Sequence, residues 1–249
     1  ISAIPANAFK NCSSLGAIQI PASVTEMDAT AFSGCANLEN IDVGESMSFV
    51  TEDGLLYNRD KTKLLRAFHY ERTTYEIPDI AEGALVGTTI TSITFPEDST
   101  RTAIDANMFK SCTNLTSVTL PSGLQTIGDS AFSGCTGLTE MTIPDGVTSI
   151  GNIAFSGCSK LASVTLPDTL TTLGTSAFHK TGLTSVDLPD NLEMIPDRAF
   201  YECKSLATVK FPKALKEIGD DAFYGTALSE IMIPQGTEVI GSGAFGGTK

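Results

Sequence analysis

Tryptophan is absent from this chain of 249 residues, and histidine occurs only twice, as His69 and His179. So few imidazoles close most routes to a metal centre or a general base. Basic residues are also scarce: 16 Lys and Arg face 29 Asp and Glu, for a net charge of −13. Phosphate binding needs a basic footprint, so nucleic acid is excluded as a partner. No apolar run approaches the ~18 residues of a membrane helix, so no transmembrane segment is expected here. Neither a start Met nor a signal peptide opens the chain. Ile1 and Lys249 both fall inside repeats, which leads us to expect a piece of a longer protein that flanking repeats would stabilise.

What the chain does have is repetition. The stretch L-T-S-V-T-L-P-S-G-L-Q-T-I-G-D-S-A-F ends at Phe132, and copies of it fill the sequence. The marker Phe recurs at 109, 132, 155, 178, 200, 223 and 245, every 22 or 23 residues, with Phe9 and Phe32 upstream and Leu85 as a degenerate copy. A repeat of this length cannot bury its apolar face alone, so the period predicts a solenoid. Hydrophobic residues at 41% and charged residues at 18% are sufficient for its core. The fold class is therefore a β-rich repeat solenoid of 22–23-residue turns. A parallel sheet runs along one face, with short strands or helical turns on the other.

Each repeat reads as two halves. L-x-x-h-x-h is a strand whose last positions alternate inward and outward, and the Pro that usually follows ends its ladder. The return half, h-x-x-I-G-x-x-A-F, predicts a short strand and a helical turn near Asp129–Phe132, where Asp, Ser and Asn favour helix starts. The Gly of I-G (Gly128, Gly151, Gly174, Gly219, Gly241) is replaced at the same slot by Asp28, Asp105 and Pro196. Pro forbids positive φ, so close approach of stacked backbones is the expected reason for the Gly.

The six cysteines all stand three residues after the marker, and in other repeats that slot holds Thr88, Thr181 and Thr226. A residue that trades with Thr fills a small pocket. Stacked strands keep neighbouring Cβ atoms ~4.8 Å apart, beyond the usual reach of a disulfide, so free buried thiols are expected. The arc from marker to next strand is six residues long in the Cys repeats and five in the Thr repeats. The longer arc should leave a dry pocket for sulfur, and the shorter should bring Thr within hydrogen-bond reach of backbone.

Residues 44–77 break the period. Leu55-Leu56-Tyr57 and Lys63 to Phe68 flank a polar Asn58–Thr62 stretch, which predicts a β-hairpin inserted into a single solenoid spanning 1–249. The unit I-P-x-x-h-T-x-I-G-x-x-A-F-x-G-C-x-x-L-T-S-V-T-L-P resembles the BspA-like leucine-rich repeats of bacterial surface proteins, and D-G-L-L-Y-N-R-D-K-T resembles the hairpin found between repeats in that family. The resemblance implies a right-handed coil, a cell-surface or secreted location, and adhesion to a host extracellular matrix or surface protein.

Catalytic and cofactor motifs reduce to repeat positions. Gly241-Ser-Gly243-Ala-Phe-Gly246 fits G-x-G-x-x-G but lies in no βαβ unit. Glu52-Asp53-Gly54 lacks the alternating ligands of a calcium loop and reads as a turn. His179 follows a marker Phe at a variable surface slot. No nucleophile–base pair or metal set appears, so no enzyme, metal or cofactor is expected. Two candidate contact surfaces remain. One is the outward strand face, with Ser117, Thr119, Glu140, Thr142, Ser163, Thr165, Ser185 and Asp187. The other is the basic stretch with Tyr57, Arg59, Lys61, Lys63, Arg66, Phe68, His69, Tyr70 and Arg72. The favoured function is protein binding or adhesion; a passive spacer is the alternative.

Overall fold

The computed structural model describes residues 1–35, 37–67, 80–81, 84–85, 90–95 and 99–248. Its first strands are β1 (Ala3–Ile4), β2 (Ala17–Gln19), β3 (Glu26–Met27) and β4 (Asn40–Asp42). Three longer ones follow: β5 (Phe49–Glu52), β6 (Leu55–Asn58) and β7 (Leu64–Ala67). Then the short rhythm resumes with β8 (Ser92–Thr94), β9 (Ala103–Ile104), β10 (Ser117–Thr119), β11 (Thr126–Ile127), β12 (Glu140–Thr142), β13 (Ser149–Ile150) and β14 (Ser163–Thr165). The last are β15 (Thr172–Leu173), β16 (Ser185–Asp187), β17 (Met194–Ile195), β18 (Thr208–Lys210), β19 (Glu217–Ile218) and β20 (Val239–Ile240). Together they make a β-solenoid of about 9 turns with parallel sheets.

The three-residue strands form one face, pairing in parallel as β2–β4, β8–β10, β12–β14 and β16–β18. The two-residue strands form the other face, in the runs β9–β11–β13–β15 and β17–β19–β20. The register is the repeat itself: Ser117 faces Ser92, Met141 faces Val164 and Ile127 faces Ile150. Each central strand residue therefore sits over its own copy one turn away, and Ile41, Ile93, Met141 and Val186 are buried.

Between the faces runs the marker column. Consecutive rings from Phe109 to Phe245 stack at centroid distances of 4.9, 5.1, 5.2, 5.5, 5.2 and 5.4 Å, within 11° of parallel. Near-parallel rings at this spacing follow from identical side chains translated along the axis.

No helix forms among the described residues; the turn near Asp129–Phe132 has a different basis. Its amides alternate between two kinds of partner. Ala131, Ser133 and Cys135 donate within the turn to Gly128, Ser130 and Phe132, while Ser130, Phe132 and Gly134 donate to Asn152, Ala154 and Ser156 of the next turn, each at 2.8 Å. Aiming alternate amides along the axis requires left-handed backbone two residues before and two after the marker. Ser130 (φ 56°) and Gly134 (φ 75°) supply it here, and Ile153, Ser176, Lys180, Arg198, Glu202 and Asp221 supply it in later turns. The Asp and Asn of this turn start no helix. Asp129 Oδ1 accepts the Asn152 amide at 2.7 Å, and Asn152 Oδ1 accepts that of Thr175 at 2.9 Å.

The I-G glycine behaves as the Pro exception indicates. A Cβ on Gly174 would lie 2.3 Å from the Gly151 carbonyl carbon, and one on Gly241 would lie 2.5 Å from the Asp220 amide nitrogen. Close packing of successive turns, at ordinary φ, is what requires Gly here.

Candidate interaction surface

The strand face carries eight of the expected contact residues, at the first and last positions of successive three-residue strands. Ser117, Glu140, Ser163 and Ser185 stand at the first, and Thr119, Thr142, Thr165 and Asp187 at the last. All eight are exposed, because they flank the inward residue of each three-residue strand. None of the eight donates or accepts a side-chain hydrogen bond, or makes an ion pair, among the described residues. The arcs differ. There Asp129, Asn152, Asp197 and Asp220 hold amides of the following turn, and Arg198–Asp221 (3.3 Å), Lys180–Glu202 (3.6 Å) and Lys216–Glu193 (3.0 Å) link neighbouring turns. Side chains on the arcs are thus occupied with the fold, and those on the strand face are available.

The inserted segment is more than a hairpin. β5, β6 and β7 form an antiparallel three-stranded sheet, with Phe49 opposite Asn58 and Leu55 opposite Ala67. Asp53 (φ 50°) and Gly54 (φ 75°) make the β5–β6 turn, the left-handed pair that matches strand twist, so Glu52-Asp53-Gly54 is a turn as expected. The sheet is built into the stack. Phe49 and Leu56 join the core of the first turns, Leu55, Leu64 and Ala67 that of the later ones. The amide of Ala81 donates to Leu64 at 2.8 Å, and that of Ala67 to Ala84 at 3.1 Å.

This placement divides the basic candidates. Arg59, Lys61 and Lys63 are exposed, and Lys61 pairs with Glu52. Tyr57 is half-buried and packs on the core. Arg66 is a correction: it is 3% exposed, and its Nη1 donates to the Ala84 carbonyl at 3.4 Å. It lies inside because β7 stacks on the following turn, and a strand residue facing that core cannot also reach solvent. Burial pushes its pKa down, and the thiols of Cys35 and Cys112 lie within electrostatic reach. Phe68, His69, Tyr70 and Arg72 lie outside the described residues. The exposed cations that remain share the sheet with Glu52, Asp53 and Asp60, so the surplus of positive charge read from the sequence is cancelled.

The cysteines are unpaired, and all but the exposed Cys12 are buried. Their slot is closed to solvent, as expected, and it also offers a hydrogen-bond acceptor. Each buried thiol donates to the marker carbonyl one turn earlier: Cys135 to Phe109 at 3.0 Å, Cys158 to Phe132 at 3.2 Å and Cys203 to Phe178 at 2.9 Å. Thr does not take over this bond to backbone. Thr181 Oγ1 meets Cys203 Sγ at 3.1 Å, and Thr226 Oγ1 is buried without a hydrogen-bond partner among the described residues. Burial raises these pKa values, to about 12 for Cys158 and about 11 for Cys203, so the thiols are poor nucleophiles.

His179 is half-buried. Its Nδ1 lies 3.2 Å from Ser156 Oγ, and its ring meets Tyr201 edge-on at 5.5 Å. Burial, then the charge of Lys180, lowers its pKa. Tyr201 stacks on Tyr224 at 5.1 Å, with Arg198 over its ring at 5.9 Å. Reading the slot after the marker down the repeats, H-Y-Y at 179, 201 and 224, would have shown this aromatic column. Reading each turn alone hid it. No group of three or more His, Cys, Asp or Glu that could hold a metal ion occurs among the described residues.

Two grooves open on the strand face where the parallel pairing lapses. The first, about 420 Å3, lies between β4 and the β5–β6 turn. The second, about 460 Å3, lies between β14 and β16 and is lined by Ser163, Thr165, Ser185, Asp187, Asp190 and Lys210.

The family model of the BspA type leucine rich repeat region matches residues 1–63, 61–143, 78–190 and 126–249, which together span the chain. The chain belongs to the BspA-type leucine-rich repeat family. Among solved structures, a Treponema pallidum leucine-rich repeat protein is similar at 26% identity and a TM-score of 0.59, covering 69% of this chain and 85% of its own. A leucine-rich repeat protein from Eubacterium ventriosum is 30% identical with a TM-score of 0.57, covering 94% of this chain. A leucine rich cell surface protein from Faecalibacterium prausnitzii is 25% identical with a TM-score of 0.59, covering 84% of it. This BspA-type chain accounts for 59% and 51% of the length of the latter two. No curated protein matches it. No helix of the described residues is long and apolar enough to cross a membrane.

Proposed function

We propose that this chain is a protein-binding module of a bacterial cell-surface protein, and that it engages its partner through the strand face. One observation carries the reading. Eight exposed side chains stand there with no hydrogen bond or ion pair among the described residues, while arc side chains such as Asp129 and Arg198 link neighbouring turns. An array of hydroxyls and carboxylates repeated over successive turns suits a polar, extended contact whose affinity accumulates from turn to turn. The family and the surface assignment of the Faecalibacterium relative support the location. A host matrix or surface protein, or a neighbouring cell's, is the partner class proposed.

The exposed Arg59, Lys61 and Lys63 of the inserted sheet are the second contact candidate, and Arg59 lines the first groove. The test places Arg at Ser117, Thr142 and Ser163 in one variant, and Ser at Arg59, Lys61 and Lys63 in another. Retention on immobilised extracellular matrix is then measured for both. Loss with the first variant supports the strand face, and loss with the second alone moves the contact to the inserted sheet. Absence of retention by the unmodified chain as well would favour a passive spacer and sink the proposal.

A further inference from the structure

The second groove, between β14 and β16, opens where two turns part. β14 pairs with β12 and β16 with β18, and no ladder joins β14 to β16. The amides of Ile143 and Leu188, just after their strands, donate to Thr165 and Lys210 of the following turn, each at 3.0 Å. The Leu166 amide stands at the same slot and makes no such bond to Asp187.

Polar side chains reach the groove from both sides. Ser163 and Thr165 come from β14, Ser185 and Asp187 from β16, Asp168 from beyond β14 and Lys210 from β18. All six are exposed, and none makes a side-chain hydrogen bond or ion pair among the described residues. Lys210 stands opposite Asp187 in the β16–β18 ladder without pairing with it. Asp190 also lines the groove, but Lys213 holds its carboxylate, so it is not free for a ligand. The half-buried Val164 and Leu166 add an apolar patch.

This mixture of groups selects by charge. A cation drawn to Asp168 and Asp187 meets the ammonium of Lys210, and an anion drawn to Lys210 meets two carboxylates. A neutral ligand with several hydroxyls meets neither penalty. Its O–H groups donate to the carboxylates, and its oxygens accept from Lys210. The Ser and Thr hydroxyls serve in either role. A sugar ring also has C–H faces, which the apolar patch can meet.

We infer that this groove binds a neutral pyranose unit of a glycan carried by the partner protein. Its volume of about 460 Å3 lies within the range usual for small-ligand sites. The inference rests on the strand face as the contact surface and names the partner feature recognised at this point of it.

The probes are the methyl glycosides of glucose, galactose, mannose and N-acetylglucosamine, each titrated to ~50 mM so that a millimolar site fills. At least one should shift the Ser185 and Asp187 signals in amide NMR spectra, with an affinity that salt leaves unchanged. Asp168→Ala with Asp187→Ala should weaken binding about tenfold, because two ionised acceptors are lost. Both side chains are exposed and unengaged, so the fold does not depend on them. Glu140→Ala removes a carboxylate of the same face outside the groove and should leave binding unchanged. Enzymatic removal of protein-linked glycans from immobilised matrix should lower retention of the chain.

No shift with any of the glycosides overturns the inference, as does equal binding by the Asp168/Asp187 variant. Tighter binding of lysine amide than of the sugars would make the groove a cation site and overturn it too. Glycoside binding with matrix retention unchanged by deglycosylation would overturn the protein as carrier and assign the sugar to a polysaccharide. Glycoside binding without any matrix retention would sink the strand-face reading and leave the sugar site standing. Retention without glycoside binding would remove only the sugar site.

Discussion

Two regions of this chain solve the same burial problem by different means. From Ala103 onward the strands β9, β11, β13 and β15 each lie on their own copy 23 residues away, in parallel register, with the Phe column through the middle. In β5–β7 the strands run antiparallel, the register shifts at Leu56/Tyr57, and neighbours differ in kind, with Val50 opposite Tyr57 and Leu56 opposite Arg66. Repetition distributes stability evenly and yields a uniform surface, since one favourable contact is made in every turn. The irregular sheet follows β4 where the parallel ladder of the strand face ends, and a groove opens between them. Uniformity holds the molecule together, and the inserted sheet departs from it.

The comparison can be broken most forcefully at the ring column. Phe132 is fully buried between Phe109 and Phe155. Phe132→Ala should cost ~3–5 kcal/mol, since a vacated ring leaves a cavity that a stacked core cannot close. Phe49→Ala in β5 removes an equally large ring at 4% exposure, but one outside the column. Its cost should fall near the low end of that range. Denaturant midpoints with unchanged slope would measure both. A tolerated Phe132→Ala would mean that the column is not the core of the stack.

Next in size is close backbone packing. Gly174→Ala places Cβ 2.3 Å from the Gly151 carbonyl carbon, so two turns must separate, at a cost of ~1–3 kcal/mol. Gly44, at the entrance to the inserted sheet, has nothing within 4 Å of its Cβ position. Its φ of 50° sets the cost of Gly44→Ala at ~1 kcal/mol. Equal losses at the two sites would show that conformation, not approach of turns, governs the I-G glycine.

How far the sequence reveals these features depends on what forces each one. Marker rings and inward strand residues are legible because burial selects a residue type at a fixed period, and Pro196 suffices to reveal that the I-G glycine answers to space. The left-handed positions are not legible. Asn107, Ser130, Ile153, Ser176, Arg198 and Asp221 are of five residue types, because amides of the neighbouring turn impose the conformation. β5 was missed since Ser46, Met47 and Ser48 give its approach no alternation, and Arg66 reads as a surface cation because only the stacking of β7 buries it. On the candidate surface the outward strand residues were legible from alternation, whereas the groove arises from a pairing that fails to form, which no motif announces.

The thiol column predicts a pH dependence that the inserted sheet, lacking cysteine, does not share. An unfolded thiol ionises near 9, while burial raises Cys203 to about 11 and Cys158 to about 12. With the folded pKa above the unfolded one, the contribution is fully present below pH ~9 and is lost as pH rises towards the folded values. Urea midpoints should therefore fall between pH 9 and 11, less steeply when Cys135, Cys158 and Cys203 are Ala. Six thiols should titrate in denaturant, and Cys12 alone should react quickly in the folded chain. Parallel decline in both proteins would remove the buried thiols as the cause.

The smallest expected effect is a gain. Ile153 holds φ at 59°, where a branched Cβ crowds the backbone, and its side chain is 42% exposed, so it contributes little burial in return. The same slot holds Asn7 and Asn107 in earlier turns, at φ 60° and 59°. The conformation cannot relax, because the Ile153 amide donates to the Thr175 carbonyl at 2.9 Å and so belongs to the bond series that joins the turns. Asn tolerates left-handed backbone at little cost. Ile153→Asn should therefore raise stability by ~1 kcal/mol, offset in part by the apolar area lost from a half-open side chain. The matching change in the inserted sheet, Lys61→Asn at φ 57°, removes the ion pair to Glu52 and should gain less. If Ile153→Asn lowers the urea midpoint, the Ile side chain stabilises its turn by more than its backbone costs, and the inter-turn amide series is less constraining than its geometry implies.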